Sequence, residues 1–477
     1  MTTALLSPAT VQALRQGLAE LPRADNHVAG DPVVPEQIVT VPSHRAALDP
    51  DRALVVGNRG MGKSFWAHAL ADTAARNWAA ATFPELANMD VRIGFNASDR
   101  SDPIAPTTTS IQEALRRDIT PDAVWRTVLL RATGADLGAL GAPAGTFAET
   151  ASWVEANGEH VDALLTRVDD DRAHTGRKLV VVFDALDQLA QDWDTTRKLT
   201  VALLRRALSV RSYRCLRFKL FMRSDQFEAP RLFEFPDGSK IRSTRVDLKW
   251  ESNDLYALLF ARLEHGVSSD AFKSLSLPPA FDGAGDHAKT VVDALAGEFM
   301  GANKKRGRVY TWLPLHLADA RGETSPRTFL TAWREAASHA PAPTDRPVDH
   351  AGLIEGVRKA SEDRLKELEE DYWWIAPALA PLRGQEVPME RSVLEGCWRT
   401  SATIEEIRRG STAPARAPIQ LDGAPQPPEA SLVDALGTIG VLEIRTNGKI
   451  NVPDIFRVEA GIKRRGGVKP PARQVRS

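Results

Sequence analysis

Residues 53–64 read Ala-Leu-Val-Val-Gly-Asn-Arg-Gly-Met-Gly-Lys-Ser, an apolar run that closes on glycines, a lysine and a hydroxyl. Gly57 through Ser64 fits G-x-x-x-x-G-K-[ST] at every required position. The chemistry behind the pattern is specific. Glycines let the backbone wrap so that successive N–H groups point inward and form an anion nest. The loop then feeds a helix whose positive end strengthens the field. Lys63 can reach the β- and γ-phosphates of a nucleotide, and the Ser64 hydroxyl can ligate Mg²⁺. The context agrees, since an apolar strand precedes the loop and a helical stretch starting at Phe65 follows it. Gly57, Asn58, Arg59, Gly60, Met61, Gly62, Lys63, Ser64 and Phe65 are therefore the candidate nucleotide contacts.

Outward from the loop, strand-like and helix-like segments alternate. Strands are expected at 53–56, 91–95, 179–183, 216–222 and 245–250, with helices at 63–76, 111–133, 149–168 and 195–209 between them. That alternation predicts an α/β fold with a parallel sheet wound by right-handed crossovers. Past Trp250 the strand signal stops. Helical text, including 254–264, runs to about Ala337, and 338–347 reads as a proline-rich linker. Helices at 356–370, 391–397, 404–409 and 431–440, then a hairpin over 442–452 around Asn447-Gly448, suggest a winged-helix module. The expected organisation is an N-terminal helix and connector (1–40), a P-loop core (41–250), a helical lid (251–345) and a winged-helix-like domain with a basic tail (346–477).

Two further stretches carry chemistry. Leu179–Phe183 is an apolar strand ending in Asp184, which delivers a carboxylate to the carboxyl edge of the sheet, where ligands bind in open α/β folds. Asp184 is placed to hold Mg²⁺. Asp187, three residues on, could orient or deprotonate an attacking water, or it could cap the following helix. Phe218–Met222 ends in Arg223, which could sense a γ-phosphate through charge-assisted hydrogen bonds. The alternative is a surface arginine paired with Asp225 or another acid.

The bulk properties exclude several classes. The 477 residues are 43% hydrophobic and 26% charged, with a net charge of −1, so any pull toward nucleic acid must come from a local patch. Such patches exist at Lys304-Lys305-Arg306-Gly307-Arg308 and from Lys463 through Arg476. The two cysteines, Cys215 and Cys397, are far apart and fit neither a disulfide framework nor a zinc site. No run of 18 apolar residues occurs, and Met1–Leu21 reads as an amphipathic helix rather than a signal sequence. The expected location is the cytoplasm, without membrane contact.

Taken as an ordered set, these elements resemble the STAND class of signal-transduction ATPases within the AAA+ and origin-recognition-like group. Asp184-Ala185-Leu186-Asp187 resembles the class's second motif, whereas standard AAA+ enzymes have Glu where Ala185 stands. The Arg223 strand resembles a sensor 1 strand. Tyr310–Leu315 resembles the G-x-P element, with Trp312 in place of its glycine and Pro314 near the adenine. Gly322–Arg327 resembles a sensor 2 helix start, with Arg327 toward the nucleotide or, alternatively, solvated. The resemblance implies an ATP–Mg²⁺ switch that hydrolyses ATP, self-associates and signals through a separate protein partner, with stress or antiphage defence as the setting. The rival expectation is a DNA-associated ATPase using the winged helix, and DNA is the less favoured partner.

Overall fold

The computed structural model describes residues 6–22, 33–139, 141–143, 145–229, 231–275, 285–410, 421 and 426–466. The chain divides into two compact units, one of residues 28–249 and one of residues 1–27 with 250–477.

The first unit is built on five strands: β1 (Leu54–Gly57), β2 (Met89–Phe95), β3 (Lys178–Phe183), β4 (Leu216–Arg223) and β5 (Val246–Asp247). They lie in the order β2-β3-β4-β1-β5, all parallel. Leu179 through Phe183 are all buried, which is why β3 is an unbroken apolar run rather than an alternating one. The core continues into the helices on the faces. Trp125 meets Phe183 edge-on at 5.6 Å, Phe183 lies 4.7 Å from Phe218, and Trp125 Nε1 donates to the Leu199 carbonyl at 2.9 Å. β4 also buries a cation. Lys219 is 1% exposed, and its ammonium donates to the carbonyls of Ala47, Asp49 and Arg52 at 2.7–2.8 Å. All three ammonium protons are thereby used, and the segment leading into β1 is pinned to the sheet.

Three helices expected as continuous are broken. The stretch 63–76 forms Lys63–Ala71 and Thr73–Ala80, because Asp72 turns extended and its carboxylate caps the second helix at Ala75 N. The stretch 111–133 lies within Thr108–Arg116 and Pro121–Ala132, split by Asp118 at φ +59° and restarted by the Thr120 cap and Pro121. Phe147–Ala156 and Gly158–Thr175 are likewise separate. The strand expected at 245–250 is reduced to β5.

In the second unit, Ser7 caps the helix Pro8–Ala19, which buries Val11, Leu14 and Leu18. The prolines of 338–347, expected as a linker, instead join two helices that pack on each other, Pro326–Ser338 and His350–Asp371. A Cβ on Gly356 would lie 2.1 Å from the Ala332 carbonyl oxygen, so glycine there permits the close approach. The joining loop is held by Arg15, which donates to the Arg346 and Pro347 carbonyls at 3.0 and 2.8 Å. Further on come helices Arg391–Thr400, Thr403–Gly410 and Pro428–Thr438, then antiparallel Glu443–Ile444 and Ile450–Asn451 joined through Gly448 at φ +77°. Trp398 is core, its indole N–H donating to the Ala378 carbonyl at 2.8 Å. Most of the proline-rich stretch 413–428 and the tail cations Lys469, Arg473 and Arg476 lie outside the described residues. Among the described residues, no helix is long and apolar enough to cross a membrane.

Candidate nucleotide site

The loop after β1 carries Gly60 at φ +83° and Gly62 at φ +94°, backbone that glycine adopts without strain. Gly62 stands directly before the helix Lys63–Ala71, and Met61 between the two glycines is buried as an anchor. Asn58 and Arg59 are half-buried in the loop, Ser64 is exposed at the helix start, and Phe65 stands edge-on to Trp66 at 5.5 Å. The Lys63 ammonium bends back and donates to the Gly57 and Asn58 carbonyls, each at 2.9 Å. Part of the side chain keeps surface, but the ammonium is packed within the loop, and burial lowers its pKa to about 8. Asp184 opposes that most strongly, with Asp225 and Asp187 adding to it and Arg223 working against it. Those five charges therefore share one neighbourhood.

Strand order explains why. β4 lies between β1 and β3, so the carboxyl edge brings together the ends of three strands, and Gly57 sits in register with Arg223. Asp184 follows β3, is 4% exposed, and donates its backbone N–H to the Phe95 carbonyl at 2.9 Å. Ala185 turns the chain at φ +53°, a conformation that costs a non-glycine residue about 1–2 kcal/mol. Asp187 then falls in a short turn of helix, Leu186–Gln188. It does not cap the long helix that follows, because Asp192 does so by accepting from Thr195 N at 2.8 Å.

Arg223 pairs with Asp225, as the alternative reading expects, but it is not exposed at the surface: its side chain is 14% exposed and bridges two acids. Nε and Nη2 donate to Asp225 Oδ1 and Oδ2 at 3.0 and 3.3 Å, while Nη1 donates to Asp187 Oδ2 at 3.2 Å. Lys63, Asp184, Asp187 and Arg223 are thus brought to one sheet edge.

Two structural supports were not apparent from the sequence. Trp66 Nε1 donates to His44 Nδ1 at 3.1 Å, which leaves Nε2 to carry the proton and donate to the Lys249 carbonyl at 3.1 Å. This neutral imidazole ties the helix after the phosphate loop to the chain beyond β5, and burial pushes its pKa down to about 4. Asp225 appeared only as a bland partner for Arg223.

Pro314 and Arg327 belong to the other unit. Pro314 lies buried inside the helix Val309–Leu317, and its carbonyl accepts from Thr324 Oγ1 at 2.8 Å. Arg327 follows Pro326 at the start of its helix and pairs with Glu367 at 2.7 Å, which also takes Arg364 at 3.1 Å.

Residues 43–216 match the family model described as the AAA ATPase domain. Arg223 and β5 lie beyond the matched span. No curated protein matches the chain. Among solved structures, the ORC2 protein of Aeropyrum pernix, as ADPNP–ADP complexes, is 13% identical at a TM-score of 0.36, covering 91% of this chain and 95% of that one. A Walker-type ATPase of Pyrococcus abyssi is 12% identical at a TM-score of 0.38, covering 93% and 99%. The 43–216 segment is an AAA-type P-loop ATPase domain, and hydrolysis of ATP is its activity.

Proposed function

We propose that this protein is an ATP-driven molecular switch of the STAND type, in which hydrolysis changes conformation and the change is passed to a separate protein partner. The observation that carries the reading is the Arg223–Asp187 ion pair beside the phosphate loop. It joins a cation suited to sensing a γ-phosphate to an acid suited to handling the attacking water, so the presence of that phosphate can alter both. Ser64 and Asp184 would hold Mg²⁺. Among the described residues no cluster of three or more His, Cys, Asp or Glu could bind a metal alone. A single hydroxyl and one carboxylate suit an ion that takes its other ligands from phosphates and water.

In this reading the 391–452 helices and hairpin form a winged helix that serves the switch, and ATP drives self-association. Pro314 keeps the place near the adenine, and Arg327 the place toward the nucleotide, that the resemblance implies, and bacterial stress or antiphage defence, in the cytoplasm, is the setting.

A DNA-associated ATPase is the second reading. Its support is the exposed turn Lys304–Arg306, whose cations have no ion-pair partner among the described residues. Against it stands the helix Pro428–Thr438, which a winged helix would offer to a groove: it carries Glu429 and Asp434 and no lysine or arginine. The wing cations Arg445 and Lys449 are paired with Glu443 and Glu390.

ATP turnover of the purified protein, with and without double-stranded DNA and with size followed by light scattering, separates the two. Slow turnover indifferent to DNA, with ATP-dependent assembly, is expected of the switch. Turnover stimulated by DNA at moderate salt would transfer the assignment to the DNA-associated ATPase.

A further inference from the structure

We infer that Asp225 is a positioning residue for ATP turnover, holding the Arg223 guanidinium so that one face of it stays aimed at Asp187 and the phosphate site. The inference rests on the reading of Arg223 as the γ-phosphate sensor. Its ground is the asymmetry of the contacts. Asp225 engages Nε and Nη2 together, a two-point grip that fixes both the position and the plane of the guanidinium. Asp187 meets only Nη1, at 3.2 Å. The two carboxylates therefore play different parts: one grips the fork at two nitrogens, the other meets Nη1.

The placement of Asp225 supports this division. It lies in the first turn of the short helix Ser224–Phe227, two residues after Arg223, and Gln226 Oε1 accepts from Arg223 N at 3.5 Å. Clamp and arginine thus leave β4 on the same tight turn, and the backbone holds them as one piece. A long side chain with several rotamers would otherwise lose alignment with a developing charge, and small misplacements there carry large rate penalties. A single-point contact to Asp187 can then be exchanged for phosphate oxygen without releasing the arginine.

Steady-state turnover of four variants tests the idea, with thermal melting to confirm folding. Asp225→Ala is expected to lower kcat about tenfold with KM within about twofold, the signature of an interaction made in the transition state. Asp225→Asn, which keeps the shape and one acceptor, should fall between it and the wild type. Arg223→Ala sets the floor, and the double variant Arg223→Ala/Asp225→Ala should lie at that floor, because the two residues act as a unit. Wild-type turnover in Asp225→Ala beside a slow Arg223→Ala overturns the clamp and leaves the sensor standing. Losses that simply multiply in the double variant also overturn it, marking Asp225 as a structural residue. Wild-type turnover in Arg223→Ala overturns the sensor reading and the clamp with it.

Discussion

Asp187 and Arg223 form an ion pair at 3.2 Å, although 36 residues separate them and they leave different strands. The pair exists because β4 is inserted between β1 and β3, which places the end of β4 beside both the phosphate loop and the turn that follows Asp184. An acid and a cation that could each be explained blandly alone become a coupled element.

Lys63 should make ATP affinity fall at high pH. Burial sets its pKa at about 8, and ATP binds the charged form. From pH 7 to pH 9.5 the neutral fraction grows, and affinity should drop about 30-fold by linkage. Titration calorimetry at both pH values checks this. Lys63→Ala should lose binding at both, and wild-type affinity that does not change with pH would show that the loop holds Lys63 charged.

His44 should make the first unit sensitive to acid. Its folded pKa of about 4 lies below the 6.5 of an unhindered imidazole, so the unfolded chain binds more protons between those values. Its stability contribution is complete above pH 6.5 and is lost as pH falls toward 4. At about 1.4 kcal/mol per pH unit the loss is bounded at roughly 3 kcal/mol. Urea unfolding at pH 7 and pH 4.5 should show the slope in the wild type and a flatter one in His44→Gln. Equal slopes would place the acid sensitivity elsewhere.

Lys219→Met should destabilise the first unit by about 2–4 kcal/mol, because three buried carbonyls lose their donor. Burial lowers the pKa of this ammonium to about 7, while the negative charges of Asp49 and Asp51 favour its charged form. Chemical denaturation measures the change. A variant within about 0.5 kcal/mol of the wild type would mean that water replaces the ammonium without cost.

What the sequence disclosed follows from how local each feature is. The phosphate loop is legible because Gly60, Gly62, Lys63 and Ser64 meet their geometric demands within one turn of chain. β3 is legible because burial on both faces leaves an unbroken apolar run over 179–183, and β4 is legible from its apolar residues although Arg217 and Lys219 interrupt them. The break at Asp72 was hidden, since the helices on either side bury apolar residues and no glycine or proline interrupts them. The restart at Thr120-Pro121 was written plainly as a cap and a first-turn proline, and the continuing apolar rhythm masked it. The contacts of His44 with the Lys249 carbonyl and of Asp187 with Arg223 depend on strand order, which no single segment encodes.

The most direct measurement is the kcat of Asp187→Ala with its ATP affinity taken on the same preparation. With Asp187 as the acid that handles the attacking water, affinity should stay within about threefold while kcat falls about 100-fold or more. Wild-type turnover in this variant would contradict the account, leaving Asp187 a structural partner of Arg223 and the site without its proposed coupling.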